Sequence, residues 1–115
     1  MFLANQHVQV RWTDLSPAEA ASQLAGMRVV DVREPHECAS ATGMITGAIN
    51  VPLAEVDLQA AAWERDLPLL LVCRSGARSA RAAGALAGLG FTRLFNLYGG
   101  MLAWNERGLP VVHAA

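Results

Sequence analysis

The sequence predicts an α/β protein: a mostly parallel sheet of five strands, with helices on both faces. Three observations carry this expectation. Apolar or β-branched runs alternate with helix-spaced stretches along the whole chain. Two of those runs, residues 29–32 and 69–73, are nearly continuous in apolar residues, as strands covered on both faces are. The 115 residues are 53% hydrophobic and 17% charged, enough apolar material for the core of one domain over residues 1–115.

In chain order, residues 7–12 alternate apolar and polar and predict a first, half-exposed strand. A helix should follow over residues 17–25. Ser16 is a good N-cap, Pro17 suits the first turn, and Glu19 completes a capping box. Gly26 should stop it. Residues 27–33 predict the second strand, interrupted by Asp31 near its carboxyl end, where α/β sheets hold ligands. Residues 34–40 suit a short helix with Pro35 in its first turn, and residues 42–47 a loop. A short strand over 48–52 ends at Pro52. Leu53, Val56, Ala60 and Trp63 share one face of an expected helix over 53–63. Residues 69–73 form the most apolar strand and should lie centrally. An Ala- and Gly-rich helix then runs from Arg78 or Ser79 to Leu89, small enough along its length to lie close on the sheet. A fifth strand over 93–97, a turn at 98–100, a short helix over 101–106 and a tail that packs back complete the chain.

Composition narrows function. The net charge of −1 argues against a nucleic-acid binder. The longest apolar run, about five residues, is too short to span a bilayer. Residues 1–7 do not read as a secretion signal, so the cytosol is the expected compartment. Charge is unevenly spread. Residues 1–66 hold nine acids and four arginines, a balance of −5, and residues 67–115 hold one acid and five arginines, a balance of +4. The positive part contains Cys73, which points to an anionic ligand there. Cys38 and Cys73 form no CxxC pair, so neither a dithiol redox motif nor a zinc knuckle is expected, and both should be free thiols. No metal or other cofactor is implied.

Cys73 is the candidate nucleophile. A buried strand delivers it to a loop, Arg74-Ser75-Gly76-Ala77, that closes at a helix N-terminus near Arg78 and Ser79. Backbone N–H groups at such a terminus favour an anion and lower a thiol pKa. Gly76 and Ala77 keep the loop small enough to curl into an anion nest. Arg74 and Arg78 add positive charge. Cys38 has no such setting and reads as structural. His7, His36 and His113 are scattered and read as surface residues. A Cys–His pair stays open as an alternative that the chemistry does not need.

Four segments then resemble one family, the single-domain rhodaneses, which are sulfurtransferase-type domains. These are Asp31-Val32-Arg33-Glu34; Gly43-Met44-Ile45-Thr46-Gly47-Ala48-Ile49-Asn50-Val51-Pro52; Cys73-Arg74-Ser75-Gly76-Ala77-Arg78-Ser79; and Asn96-Leu97-Tyr98-Gly99-Gly100-Met101-Leu102-Ala103-Trp104. Their order matches the family across most of the chain. The resemblance implies a small three-layer rhodanese-like domain. It implies that Cys73 carries sulfane sulfur as a persulfide, taken from thiosulfate or a persulfide donor and passed to cyanide or a thiol. It also allows a sulfur-relay protein as a partner. Residues Arg74, Ser75, Gly76, Ala77, Arg78 and Ser79 would bind the anionic donor and cradle the terminal sulfur. Asp31 and Arg33 would order the loop by ion pairing. Two departures stand out. Met44 replaces the family's usual His, and the segment between Glu37 and Gly43 is about two residues longer than the common pattern. Related phosphatases on this fold use Cys-x5-Arg, whereas Cys73 to Arg78 is Cys-x4-Arg, a loop sized for one sulfur atom. The competing readings are a non-catalytic regulatory module, whose members typically lack the cysteine, and a phosphatase or arsenate reductase, disfavoured by loop length.

Overall fold

A computed structural model describes residues 11–113. Its sheet has five strands, all parallel: β1 (Thr13–Leu15), β2 (Arg28–Asp31), β3 (Ile49–Asn50), β4 (Leu69–Val72) and β5 (Leu94–Leu97). They lie in the order β1-β5-β4-β2-β3, which puts β4 in the centre. The five α-helices among the described residues are α1 (Pro17–Gln23), α2 (Pro35–Cys38), α3 (Val56–Ala60), α4 (Ala77–Gly88) and α5 (Gly100–Glu106).

The two-residue alternation of β4 splits the core into two layers. Leu69, Leu71 and Cys73 face one side, with Val56 and Ala60 of α3, Ala82, Ala83 and Leu86 of α4, and Phe91. Leu70 and Val72 face the other, with Ala20 of α1 and Met101 and Trp104 of α5. All four β4 side chains are fully buried, which is why this strand carries no polar residue.

The elements follow local chemistry. Ser16 caps α1 as expected: its Oγ accepts from Glu19 N–H at 3.2 Å, and Ser16 N–H donates to the Glu19 carboxylate at 2.8 Å. The tail packs back through an antiparallel bridge between Met44 and Val112, with Trp104 Nε1 donating to Pro110 O at 3.0 Å.

Two expectations need correction. Among the described residues the first strand is Thr13–Leu15, beyond the expected end at Trp12. Residues 7–10 lie outside the described residues, and Arg11 and Trp12 are not in a strand. A strand needs a partner as well as alternation. The partner, β5, pairs Thr13 with Phe95 and Leu15 with Leu97. The expected helix over 53–63 is a 3-10 turn, Leu53–Glu55, followed by the short α3. Trp63 lies beyond it. Arg65 takes the carbonyls of Ala60, Trp63 and Leu89, which lets the chain leave the helix early. Trp63 then meets Phe91 edge-on, with ring centroids 6.4 Å apart.

Candidate active site

β4 ends at Val72, and Cys73 follows at its carboxyl end, only 1% exposed. The chain then turns through Arg74 and Ser75 to Gly76, which caps α4 with φ +104°. That conformation suits glycine, and a Cβ there would also meet Gly99 N at 3.2 Å. The turn aims donors at the sulfur. Gly76 N–H donates to Cys73 Sγ at 3.0 Å, and Ser79 Oγ donates to it at 3.3 Å. Ser79 is fully buried in the first turn of α4, so its hydroxyl has no competing water.

Burial by itself pushes the Cys73 thiol up. The Ser79 hydroxyl and the N–H groups of Ser79, Gly76 and Ser75 outweigh it, and the thiol lies below its ordinary value. Hydrogen bonds do most of this, and the Arg78 charge, which the sequence points to as a second aid, also interacts favourably with the Cys73 thiolate.

A second clamp holds the loop from behind. Met101 N–H donates to Cys73 O at 2.9 Å and Leu102 N–H to Arg74 O at 3.1 Å, so the first turn of α5 fixes the nucleophile's own backbone. The approach requires Gly100: a Cβ there would lie 2.4 Å from Arg74 O and 2.5 Å from Cys73 O.

The two loop arginines have different settings. Arg74 is exposed at the rim of a hollow of about 310 Å3 shared with Arg33, His36, Glu37 and Thr42. Arg78 is paired. Its Nη1 and Nη2 donate to the two Glu37 carboxylate oxygens at 2.7 and 2.8 Å. Those bonds hold the Glu37 carboxyl down at about 2. Ser75 and Ala77 are exposed on the loop surface.

Asp31 and Arg33 form a buried bidentate pair, Nε to Oδ1 at 2.9 Å and Nη2 to Oδ2 at 2.7 Å. Arg33 also donates to Glu37 O, Thr42 Oγ1 and Gly43 O. It therefore orders the 37–43 segment directly, and reaches the Cys73 loop through Glu37 and Arg78. The extra length between Glu37 and Gly43 is held by these bonds and by Asn105 Nδ2 donating to Thr42 O at 3.0 Å. Cys38 is buried beside this pair; burial, with the Asp31 charge, pushes its thiol up to about 11. Cys38 and Cys73 are both free.

Sequence reasoning missed Glu37, Asn50 and Asn96. Glu37 had a signal: with Glu34 it spans the first turn of α2 as a capping box, and Glu34 N–H donates to its Oε1 at 3.1 Å. Asn50 Nδ2 bridges the carbonyls of Asp31 and Arg33 at 2.9 and 2.8 Å. Asn96 Nδ2 donates to Asp14 Oδ1 at 3.0 Å and reaches Gly76 O at 3.4 Å. Both asparagines stand in segments that carry the family resemblance, which gave neither a role. No cluster of three or more metal-ligating side chains occurs among the described residues. No helix among them is long and apolar enough to cross a membrane.

The chain has relatives among known proteins. The family model for the rhodanese-like domain matches residues 16–107. The chain belongs to the rhodanese-like domain family. It is 39% identical over 84 residues to a sulfurtransferase of Allochromatium vinosum, covering 73% of this chain and 77% of that one. It is 37% identical over 93 residues to the thiosulfate sulfurtransferase GlpE of Pseudomonas entomophila, covering 80% and 84%. Among solved structures, a rhodanese-related protein of Thermoplasma volcanium superposes with a TM-score of 0.80 at 34% identity, covering 88% of this chain and 98% of that one. The family shared with these relatives is that of the rhodanese-type sulfurtransferases.

Proposed function

We propose that this protein is a sulfurtransferase that carries sulfane sulfur as a persulfide on Cys73. The observation behind the reading is the Cys73 sulfur itself, which accepts from Gly76 N–H and Ser79 Oγ at the carboxyl end of the central strand. Donors placed there stabilise a thiolate, and they equally suit a sulfur atom added to it.

The reaction is a double displacement. The Cys73 thiolate attacks the outer sulfur of thiosulfate. A Cys73 Sγ–S bond forms, the S–S bond of thiosulfate breaks, and its electron pair leaves with sulfite. A thiolate or cyanide then attacks the outer sulfur of the persulfide, and Sγ departs as the thiolate. A persulfide donor enters by the same first step, with a thiolate leaving in place of sulfite. The loop from Arg74 to Ser79 surrounds the transferred sulfur, and Arg74 meets the anionic donor at the rim. Asp31 and Arg33 keep that rim in place. The cytosol suits a protein with two free thiols.

The test is mass spectrometry after thiosulfate treatment. The expected result is a gain of about one sulfur atom at Cys73, removed by cyanide and absent from Cys73→Ser. A Cys73→Ser protein that still turns over thiosulfate overturns the assignment.

A further inference from the structure

Double displacement brings two different substrates to one sulfur, and the surroundings of the Cys73 loop are not alike on all sides. The hollows beside the loop carry the arginines, Arg33 and Arg74 with His36 and Glu37 in one and Arg78 and Arg81 with Glu34 and Asp57 in the other. Against Ser75 and Gly76 lies another cleft, of about 390 Å3, walled also by Trp12, Asp14, Asn96 and Tyr98. Among the described residues its wall holds no arginine, and its one charged side chain is the Asp14 carboxylate. Gly76 belongs to this wall and also donates to Cys73 Sγ, so the cleft adjoins the peptide that holds the sulfur.

Two further features mark what the cleft would take. Asn96 is 4% exposed and donates through Nδ2 to Asp14, yet its Oδ1 has no hydrogen-bond partner. It is the one such buried side-chain atom among the described residues. Turning the amide over would set Oδ1 against the Asp14 carboxylate, so this wall is short of an N–H donor. Tyr98, by contrast, is a large aromatic side chain left 67% exposed, with Trp12 half-buried at the same cleft. Aromatic faces beside a carboxylate favour a cation, and an ammonium group also supplies N–H donors.

We propose that this cleft is the acceptor subsite and that it takes a thiol bearing an ammonium group, an aminothiol. The inference rests on the sulfurtransferase reading above. The anionic donor loads Cys73 from the arginine-lined side. The aminothiol then binds with its ammonium group at Asp14, between Trp12 and Tyr98. Its thiolate attacks the outer persulfide sulfur, the bond to Sγ breaks with its electron pair left on Sγ, and the product is the aminothiol persulfide. No other oxidant or reductant is consumed.

The test is single-turnover discharge of thiosulfate-loaded protein by cysteamine and by 3-mercaptopropionate, read as the ratio of their rate constants so that thiol reactivity cancels between variants. The ratio should fall about three- to fivefold in Asp14→Asn, as loss of one partly exposed ion pair implies, and further in Asp14→Lys. Tyr98→Ala should lower it as well. Ethylammonium, which has no thiol, should compete with cysteamine in the wild-type protein. An unchanged ratio in Asp14→Asn and Asp14→Lys overturns the subsite. If the wild-type protein takes no sulfur from thiosulfate or a persulfide, the sulfurtransferase reading fails instead. The cleft is then judged by ethylammonium-induced NMR shifts of the Asn96 side-chain amide and the Gly76 N–H, whose absence overturns it.

Discussion

Removing the Ser79 hydroxyl tests the account of how Cys73 is activated. Ser79→Ala deletes the donor 3.3 Å from Sγ and leaves the Gly76 N–H at 3.0 Å. A hydrogen bond to a charged acceptor contributes about 1.5–3 kcal/mol. The long reach to sulfur argues for the lower end. About 1.5 kcal/mol corresponds to roughly one pKa unit, since one unit is about 1.36 kcal/mol. The Cys73 thiol should therefore titrate roughly one unit higher in Ser79→Ala. Below the wild-type midpoint the alkylation rate should drop about tenfold, and at high pH the two proteins should converge. The assay is the pH dependence of iodoacetamide alkylation at Cys73, read by peptide mass so that Cys38 does not interfere. Arg78→Gln supplies the contrast. Its guanidinium is engaged by Glu37, so its loss should move Cys73 upward by less than the loss of Ser79 does. A Ser79→Ala midpoint equal to the wild type, or an Arg78→Gln shift larger than that of Ser79→Ala, would refute activation by hydrogen bonding.

Other outcomes follow from the same geometry. Gly100→Ala should destabilise the fold by roughly 2–4 kcal/mol in urea melts, because φ is +59° and the new Cβ meets the Cys73 and Arg74 carbonyls. Arg33→Met should cost about 3–5 kcal/mol by leaving the buried Asp31 charge unpaired, and Asp31→Leu combined with it should recover part of that loss. Glu37 titrates at about 2 in the folded protein against 4.5 when free, so its stabilisation is complete above pH 4.5 and disappears as pH falls towards 2. Solvent screening limits that contribution to about 1 kcal/mol. Glu37→Gln should thus melt lower than the wild type at pH 7 by about that amount, with the gap closing near pH 2.

The order of strands and helices was legible in the sequence because each signal is local. The unbroken Leu69-Leu70-Leu71-Val72 run announces a strand buried on both faces. The Ser16-Pro17-Ala18-Glu19 cap announces a helix start. The small residues of 77–88 announce a helix close to the sheet. Cys73 at the end of that strand, before a helix N-terminus, was equally visible. Thr13–Leu15, past the alternating stretch, had no local signal, because pairing with β5 is what makes it a strand.

The α/β class, the central strand, the position of Cys73 and the loop count to Arg78 could all be read from the chain, because they are properties of neighbouring residues. What those groups touch is settled by packing between distant segments. Arg78 meets Glu37 from 41 residues away, Asn96 meets Asp14 from 82, and α5 clamps the Cys73 carbonyl through Met101. Such contacts depend on which strands lie side by side, and the order β1-β5-β4-β2-β3 is set by burying two faces of one sheet together. The charge of Arg78 could be counted in the chain, but its engagement by Glu37 could not.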